Sequence, residues 1–226
     1  GPGHIGVKTS KGNFFYNGRF LEDEDVTDTG LGPLGVEHVA QVGFVCRGVL
    51  LDAEAYRGGP LSVPQTASGD PNIITEEDIH AMVERQGIAP IGEGDCVFLH
   101  TGHGNLWHPS DWDSFSEAEK AERSQQFNAG SPGFGLTACK FLASRKIMLW
   151  GADTFSTEAV RANFGGESDQ PFECHLEMLA RHGIWNIENL DLTQLAADQA
   201  YEFFFTWSPL KLKGATGSPG NPVAIY

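Results

Sequence analysis

The amino-acid sequence predicts a single domain of mixed α and β structure. Its 226 residues include 40% hydrophobic side chains, enough to bury one sizeable core. Between Thr75 and Leu190, predicted helices and short apolar strands alternate three times, which is typical of a sheet covered on both faces. The N-terminal third is rich in aromatic residues and turn signals and favours antiparallel strands instead.

The first predicted elements are short. Residues Asn13–Phe20 contain an Asn-Gly turn signal within an aromatic run, which indicates a strand that ends in a tight turn. The acidic residues 21–29 predict a solvated loop. A short helix is predicted over Gly32–Val39, and the β-rich run Phe44–Asp52 predicts a buried strand.

The clearest helix lies between Thr75, which can cap its N-terminus, and Gly87, which can end it. An apolar strand is predicted over Cys96–His100. Residues 107–133 have few periodic apolar positions and predict an irregular insertion with a short helix near Ser116–Gln126.

The second half of the chain continues this alternation. The predicted elements are a helix over Gly135–Ser144, a buried strand over Ile147–Gly151, an amphipathic helix over Phe172–Arg181, and strands over Ile184–Leu190 and Tyr201–Leu212, the last broken at Pro209. A tail rich in Gly and Pro follows over residues 214–226; it can fold over a pocket or over a neighbouring subunit.

The charge balance excludes two classes of partner. Lys and Arg number 15 against 30 Asp and Glu, so the formal net charge is −15. Such a surface does not gather nucleic-acid phosphates or anionic lipid, so we expect no nucleic-acid and no membrane partner. No apolar run approaches the roughly 20 residues that span a bilayer, and the start shows no signal-peptide pattern. We therefore expect a soluble cytoplasmic protein.

The four cysteines are widely spaced, without any C-x-x-C pair. Three of them stand within apolar stretches. We predict that they are buried reduced thiols, in preference to disulfides or a zinc site.

Three histidines cluster after the strand Cys96–His100: His100, His103 and His108. The spacing His100-x-x-His103 can hold a metal but brings no third ligand at a fixed offset. A histidine that lines a pocket or bonds a backbone carbonyl is the favoured interpretation, and His103 is the candidate for the pocket.

His175 and Glu188 form the second candidate pair. His175 lies three residues after Phe172 and four before Leu179, so its ring shares the inward face of the predicted helix. Glu188 stands in the next predicted strand, where a buried carboxylate needs a partner. Together they suit zinc or manganese. The alternative is a satisfied core histidine and a solvent-facing glutamate.

Two further residues are candidates for a substrate pocket. Asp153 follows the buried strand Ile147–Gly151, at the strand end where α/β folds place functional groups; it can equally be a helix cap or turn residue. Trp107 can form an aromatic pocket wall or belong to the core. No nucleophile elbow, Rossmann or P-loop pattern is present.

Several blocks of sequence, in one order, resemble the cyclase-like family of metal-dependent hydrolases, which includes bacterial kynurenine formamidases and isatin hydrolases. These blocks are residues 100–107, 130–133 and 151–154, then His175-Leu176, residues 188–192 and residues 213–225. The resemblance covers essentially the whole chain. It implies a swivelling β/β/α fold over residues 1–226, a small-molecule substrate and a homo-oligomer.

The resemblance also implies roles for individual residues. The family signature H-x-G-T-H-x-D-x-P-x-H ends in x-P-x-H, which the run Gly1-Pro2-Gly3-His4 matches. His4 would then be the catalytic acid/base. His175 and Glu188 would hold a divalent metal, zinc or manganese, whose bound water attacks an amide, lactam or lactone.

The sequence departs from the family at its start, because the His and Asp of the signature would precede Gly1. We therefore expect a chain without the N-terminal part of the family, although Gly1-Pro2 is also a common remnant of tag removal. Two alternatives to a metal-dependent hydrolase follow. One is a non-catalytic binding or assembly module, and the other is a site completed by a separate chain.

Overall fold

The computed structural model describes residues 1–21, 30–107, 109–162 and 172–226. The predicted acidic loop, apart from its first residue, and the candidate His108 lie outside these ranges.

The N-terminal segment forms a small antiparallel sheet, as the aromatic, turn-rich pattern predicts. Its strands are β1 (Val7–Thr9), β2 (Gly12–Phe15) and β3 (Arg19–Leu21), in the order β1-β2-β3. Asn17 adopts φ 62° in the turn before β3, a left-handed conformation that asparagine tolerates well.

A six-stranded mixed sheet forms the centre of the molecule. Its strands are β4 (Phe44–Asp52), β6 (Cys96–His100), β8 (Leu149–Ala152), β9 (Trp185–Ile187), β10 (Glu202–Trp207) and β11 (Val223–Ile225). The order is β11-β10-β4-β6-β8-β9, with β4, β6, β8 and β9 parallel and β10 and β11 antiparallel to their neighbours. A separate parallel pair joins β5 (Ile73–Ile74) to β7 (Gly133–Phe134).

Alternate side chains of the parallel strands enter two different cores. Val49, Leu51 and Val97 belong to a large apolar cluster on one face of the sheet. Leu50 and Phe98 belong to a smaller, aromatic cluster on the other face. Because the strands are buried on both faces, they read in the sequence as continuous apolar runs.

The helices are α1 (Ala53–Arg57), α2 (Glu76–Gln86), α3 (Glu117–Asn128), α4 (Leu136–Ser144), α5 (Glu173–His175) and α6 (Thr193–Ala197); a π-helical segment (Leu176–Arg181) continues α5. Short 3-10 turns cover Tyr16–Gly18, Gly32–Leu34, Val39–Gln41, His103–Leu106 and Trp112–Ser114. The predicted caps of α2 are present, since Thr75 and Asp78 form a reciprocal capping box and Gly87 ends the helix at φ 65°.

Several predicted boundaries differ from the structure. In place of the helix predicted over Gly32–Val39 the structure has two short 3-10 turns, Gly32–Leu34 and Val39–Gln41. The strand predicted over Tyr201–Leu212 ends at Trp207, and β9 ends at Ile187, so that Glu188 follows the strand. The predicted tail contains β11, which pairs with β10 at the edge of the sheet. Because β11 is only three residues long and follows a Gly/Pro-rich stretch, its sequence pattern is too weak to predict a strand.

The prediction of reduced cysteines is wrong in this structure. Cys46 is bonded to Cys96, and Cys139 is bonded to Cys174, which joins α4 to α5. The two pairs are separated by 50 and 35 residues in the chain, so spacing alone gave no sign of them. Reduced thiols were one ground for a cytoplasmic location, which now remains a prediction without that support.

Over the described ranges, none of the helices has the length and apolar character needed to cross a membrane.

Candidate active site

His175 is fixed at the centre of the candidate site. Its side chain is buried, with 3% of the residue exposed, and it lies at the junction of α5 and the π-helical segment. Nδ1 of the ring contacts Oε1 of Glu158, and Nε2 lies 3.4 Å from Oε1 of Glu188. Burial by itself lowers the pKa of His175, but the hydrogen bonds and charges of Glu158 and Glu188 outweigh it and raise that pKa to about 9.

Glu188 is held in place by its neighbours. Its Oε1 accepts hydrogen bonds from the backbone N of Thr157 at 3.2 Å and from Nδ2 of Asn186 at 2.8 Å. Asn186 Nδ2 also lies 3.3 Å from Nε2 of His175, and its Oδ1 accepts from the Thr157 hydroxyl at 2.6 Å. The helix and the strand that follows it thus bring His175 and Glu188 together, as their spacing predicts; their role as metal ligands remains a prediction.

His4 lies close to His175 and lines a cavity of about 660 Å³, which we call the first cavity. The cavity is lined by His4, Trp185, Glu188 and Trp207, and by part of the C-terminal tail. The centre of the His4 ring lies 6.0 Å from that of His175. Of the two placements predicted for the tail, the structure shows residues 216–222 against this cavity.

Asn186 and Glu158 are site residues that the sequence analysis missed. Asn186 stands two positions before Glu188, and the alternation of a strand places such residues on one side, so this pairing had a readable signal. Glu158 lies outside the named strands, in an isolated bridge to Phe134, and no periodic pattern points to it.

Trp107 and Asp153 line a second cavity of about 470 Å³. Trp107 is 40% exposed and stacks on Phe127 with ring centres 5.5 Å apart. Residues 189–191 line both cavities and form the wall between them. Two of the predicted pocket residues, Trp107 and Asp153, therefore lie in a different cavity from His4 and Glu188.

The Asp153 carboxylate is occupied by the turn that follows β6. Its Oδ1 accepts from the backbone N and the hydroxyl of Thr101 at 3.0 and 2.7 Å, and its Oδ2 accepts from the backbone N of Gly102 at 2.9 Å. These bonds tie Asp153 to the turn of a different strand, and its role in a substrate pocket stays a prediction. Asp153 contributes to the second cavity chiefly by holding this turn.

His103 and His100 are both buried and engaged elsewhere. His103 stacks on Phe127, its Nε2 lies 3.4 Å from the carbonyl oxygen of that residue, and it is absent from the lining of both cavities. Burial is the main cause of its lowered pKa. His100 lies between Asp52 and Glu54, with Nδ1 to Asp52 Oδ1 at 3.0 Å. The two histidines do not form the metal pair that their spacing allows.

The donor set for a metal is incomplete. Across residues 1–21, 30–107, 109–162 and 172–226, no three His, Cys, Asp or Glu side chains are grouped so as to hold a metal ion. His175 and Glu188 supply two donor groups, whereas a catalytic zinc takes three protein ligands and a water. The amide nitrogen of Asn186 also lies 3.3 Å from Nε2 of His175. The described residues do not fit a complete metal site.

Comparisons with known proteins place the chain in a family. The model of the "Putative cyclase" family matches residues 2–159, more than half of the chain. Isatin hydrolase of Roseibium aggregatum is 29% identical over 161 residues, which cover 70% of this chain but only 55% of that protein. The chain thus spans about half the length of this curated relative.

Solved structures agree with the family assignment. The crystal structure of a novel cyclase is 27% identical, covers 99% of this chain and 67% of its own, and superimposes with a TM-score of 0.76. An isatin hydrolase bound to the product analogue thioisatinate shares the fold, with 23% identity, coverage of 88% and 68%, and a TM-score of 0.55. The mixed α/β fold and the family-model match lead to one conclusion: this chain belongs to the cyclase family.

Proposed function

We propose that this chain carries active-site residues of a hydrolase that cleaves a small amide, lactam or lactone. The observation that carries the proposal is the first cavity, in which His4 and Glu188 face one space beside the buried His175. The similarity to isatin hydrolase supports the substrate class, because isatin is a cyclic amide. Hydrolysis by this chain remains a proposal, since it spans 55% of that relative.

His4 is proposed as the proton-transfer group. Partial desolvation is the main cause that lowers the pKa of His4 below its ordinary 6.5, so the imidazole is mainly neutral at pH 7. A neutral imidazole accepts a proton as water adds its oxygen to the carbonyl carbon. It then returns the proton to the nitrogen or oxygen that leaves as the C–N or C–O bond breaks.

The metal dependence that the family resemblance implies is part of this proposal. His175 and Glu188 are the residues of this chain that would contact zinc or manganese. These are two protein ligands, whereas a catalytic zinc takes three. The proposal therefore assigns roles only to side chains of this chain, and His4 is the residue that transfers the proton.

The experiment is isatin hydrolysis followed by absorbance, with and without added Zn²⁺ or Mn²⁺, together with elemental analysis of the purified protein. His4→Ala and Glu188→Gln are compared with His80→Ala and Glu93→Gln, which change exposed residues of the same types. Loss of a positioned acid/base lowers the rate by roughly 100-fold or more. Equal rates in all four variants would overturn the assignment of His4 and Glu188.

The incomplete donor set favours one alternative, a non-catalytic binding or assembly module. Such a module would keep the first cavity without turnover. Metal-free purified protein that does not hydrolyse isatin with either cation added would support this alternative. Near-stoichiometric bound metal would count against it, and a co-purifying chain seen by mass spectrometry would point to a site completed by association.

Self-association also remains a proposal. Val45, Phe204, Val223 and Ile225 share one face of the strands β4, β10 and β11 by their register, and each is at least 41% exposed. Such a group of exposed apolar side chains, as the described residues show it at an edge of the sheet, supports pairing with a second copy of the chain. Light scattering tests it: we expect a mass above one chain, reduced by Phe204→Lys. A monomeric parent protein would contradict it.

A further inference from the structure

Glu158 is a buried carboxylate whose hydrogen bonds to the described residues converge on one short segment. The residue is 4% exposed, so its charge is removed from solvent. Its Oε2 accepts from the backbone N of Cys174 at 2.9 Å, and its Oε1 accepts from the backbone N of His175 at 3.0 Å. The same Oε1 contacts Nδ1 of the His175 ring. Glu158 thus binds both the backbone and the side chain of His175.

Other groups limit the ways in which this ring can turn. The rings of Trp150 and Phe172 pack edge-on to His175, with centres 5.8 and 5.3 Å away. The Cys139–Cys174 disulfide ties the adjacent residue to α4. With these contacts on its sides and Glu158 at Nδ1, the ring presents Nε2 to Glu188 and Asn186.

Glu158 itself stands on a rigid support. Phe134 N donates to the Thr157 carbonyl at 3.1 Å, and Ala159 N donates to the Phe134 carbonyl at 3.0 Å, so backbone hydrogen bonds hold the residues on either side of Glu158. A carboxylate held in this way defines a fixed acceptor position, because neither its backbone nor its buried side chain is free to follow the ring.

We infer that Glu158 is a positioning residue of the candidate site: it accepts a hydrogen bond from Nδ1–H of His175 and thereby directs Nε2 to the space shared with Glu188. A histidine whose Nδ1–H is held by a carboxylate has its Nε2 available for a cation, a substrate atom or a proton. The inference deepens the proposed function, but it does not depend on turnover by this chain.

The test reads the ring directly, by NMR of protein labelled with nitrogen-15 in histidine. At the pH where the nitrogen-15 signals show a neutral His175 ring, we expect the parent protein to retain the proton on Nδ1 and to protect it from solvent exchange. In Glu158→Ala we expect this proton to exchange at least about tenfold faster, the factor that corresponds to a lost charge-assisted hydrogen bond. An unchanged tautomer and unchanged exchange would overturn the inference.

Three further variants keep the test decisive. Glu158→Gln retains an acceptor oxygen for Nδ1 and should retain the Nδ1–H form. Glu158→Asp keeps the charge but moves the oxygens away from the ring, so the Nδ1 proton should lose its protection from solvent exchange. This variant replaces Glu158→Ala if the alanine variant does not fold. Glu177→Gln changes another buried glutamate, which pairs with Arg181 and His182, and should leave the His175 signals unchanged. Equal effects of the Glu158 and Glu177 changes would reduce Glu158 to a purely structural role.

The hydrolysis assay is a separate measurement. If the chain hydrolyses isatin, Glu158→Ala should lower kcat more than it raises KM, and Glu158→Gln should recover part of kcat. If the chain does not hydrolyse isatin, the NMR result still decides whether Glu158 orients His175, so the two proposals fail independently.

Discussion

Replacing Asp153 with alanine is a sharp test of how the loop after β6 is held. The carboxylate is 5% exposed and accepts from Thr101 twice, at 3.0 and 2.7 Å, and from Gly102 at 2.9 Å. A fourth and longer contact, at 3.4 Å, comes from the backbone N of Gly104. Alanine removes the acceptor and leaves these donors without a protein partner.

The magnitude follows from these contacts. A hydrogen bond to a charged group contributes about 1.5–3 kcal/mol, and an unpaired buried donor costs about 1–3 kcal/mol. Three short bonds therefore set an upper range, and water that enters from the second cavity recovers part of it. We expect Asp153→Ala to lower the free energy of unfolding by about 3–5 kcal/mol, a large share of the roughly 5–15 kcal/mol typical of a domain.

Urea unfolding followed by circular dichroism measures this loss. Asp191→Ala is the matched control, because Asp191 lines the same cavity but is exposed, and within the described ranges its side chain accepts one hydrogen bond, from the backbone N of Thr193. We expect a change of less than about 1 kcal/mol for the control. A loss below about 1 kcal/mol for Asp153→Ala, at an unchanged urea slope, would refute the claim that this carboxylate holds the turn.

Three other changes test separate parts of the fold. Burial lowers the pKa of His100, but hydrogen bonding to a carboxylate raises it above 6.5 overall. The stability that the charged ring contributes is therefore fully present below pH 6.5 and is lost as the pH rises through the folded-state pKa. We expect the urea midpoint to fall over that pH range in the parent protein and not in His100→Gln. Cys139→Ser combined with Cys174→Ser opens a 35-residue link and should cost about 4 kcal/mol in the same assay, whereas no change would contradict a native disulfide. Gly48→Ala places a Cβ 2.1 Å from the Phe203 ring and should cost about 1–3 kcal/mol; a neutral result would mean that the ring moves freely.

Much of the fold was predictable from local sequence patterns. The helix α2 was readable because its capping residues and its C-terminal Gly87 act within a few positions of one another. The parallel strands were readable because burial on both faces leaves unbroken apolar runs. The convergence of His175 and Glu188 followed from a helix and the strand after it, which are close in sequence.

The remaining features depend on contacts between distant parts of the chain. Glu158 and His175 are 17 residues apart in the chain, and no periodic pattern indicates that they are in contact. The disulfide between Cys46 and Cys96 forms because β4 and β6 are neighbours in the sheet. The position of Asp153 at the end of a strand was predictable from the sequence. Its hydrogen bonds to Thr101, in the turn after the adjacent strand β6, were not. Composition and period describe which surface a residue prefers, not which partner it meets there.

The wall formed by residues 189–191 has a practical consequence for mutagenesis. It belongs to both cavities, so a substitution there changes two binding volumes at once, and its effect on a ligand does not identify which volume the ligand occupies. Asn189 also adopts φ 56°, so alanine would add backbone strain to the loss of the amide. Asn189→Gly removes the side chain while keeping that conformation accessible. A ligand is therefore located best by changes at Trp185, which lines the first cavity, and at Trp107, which lines the second.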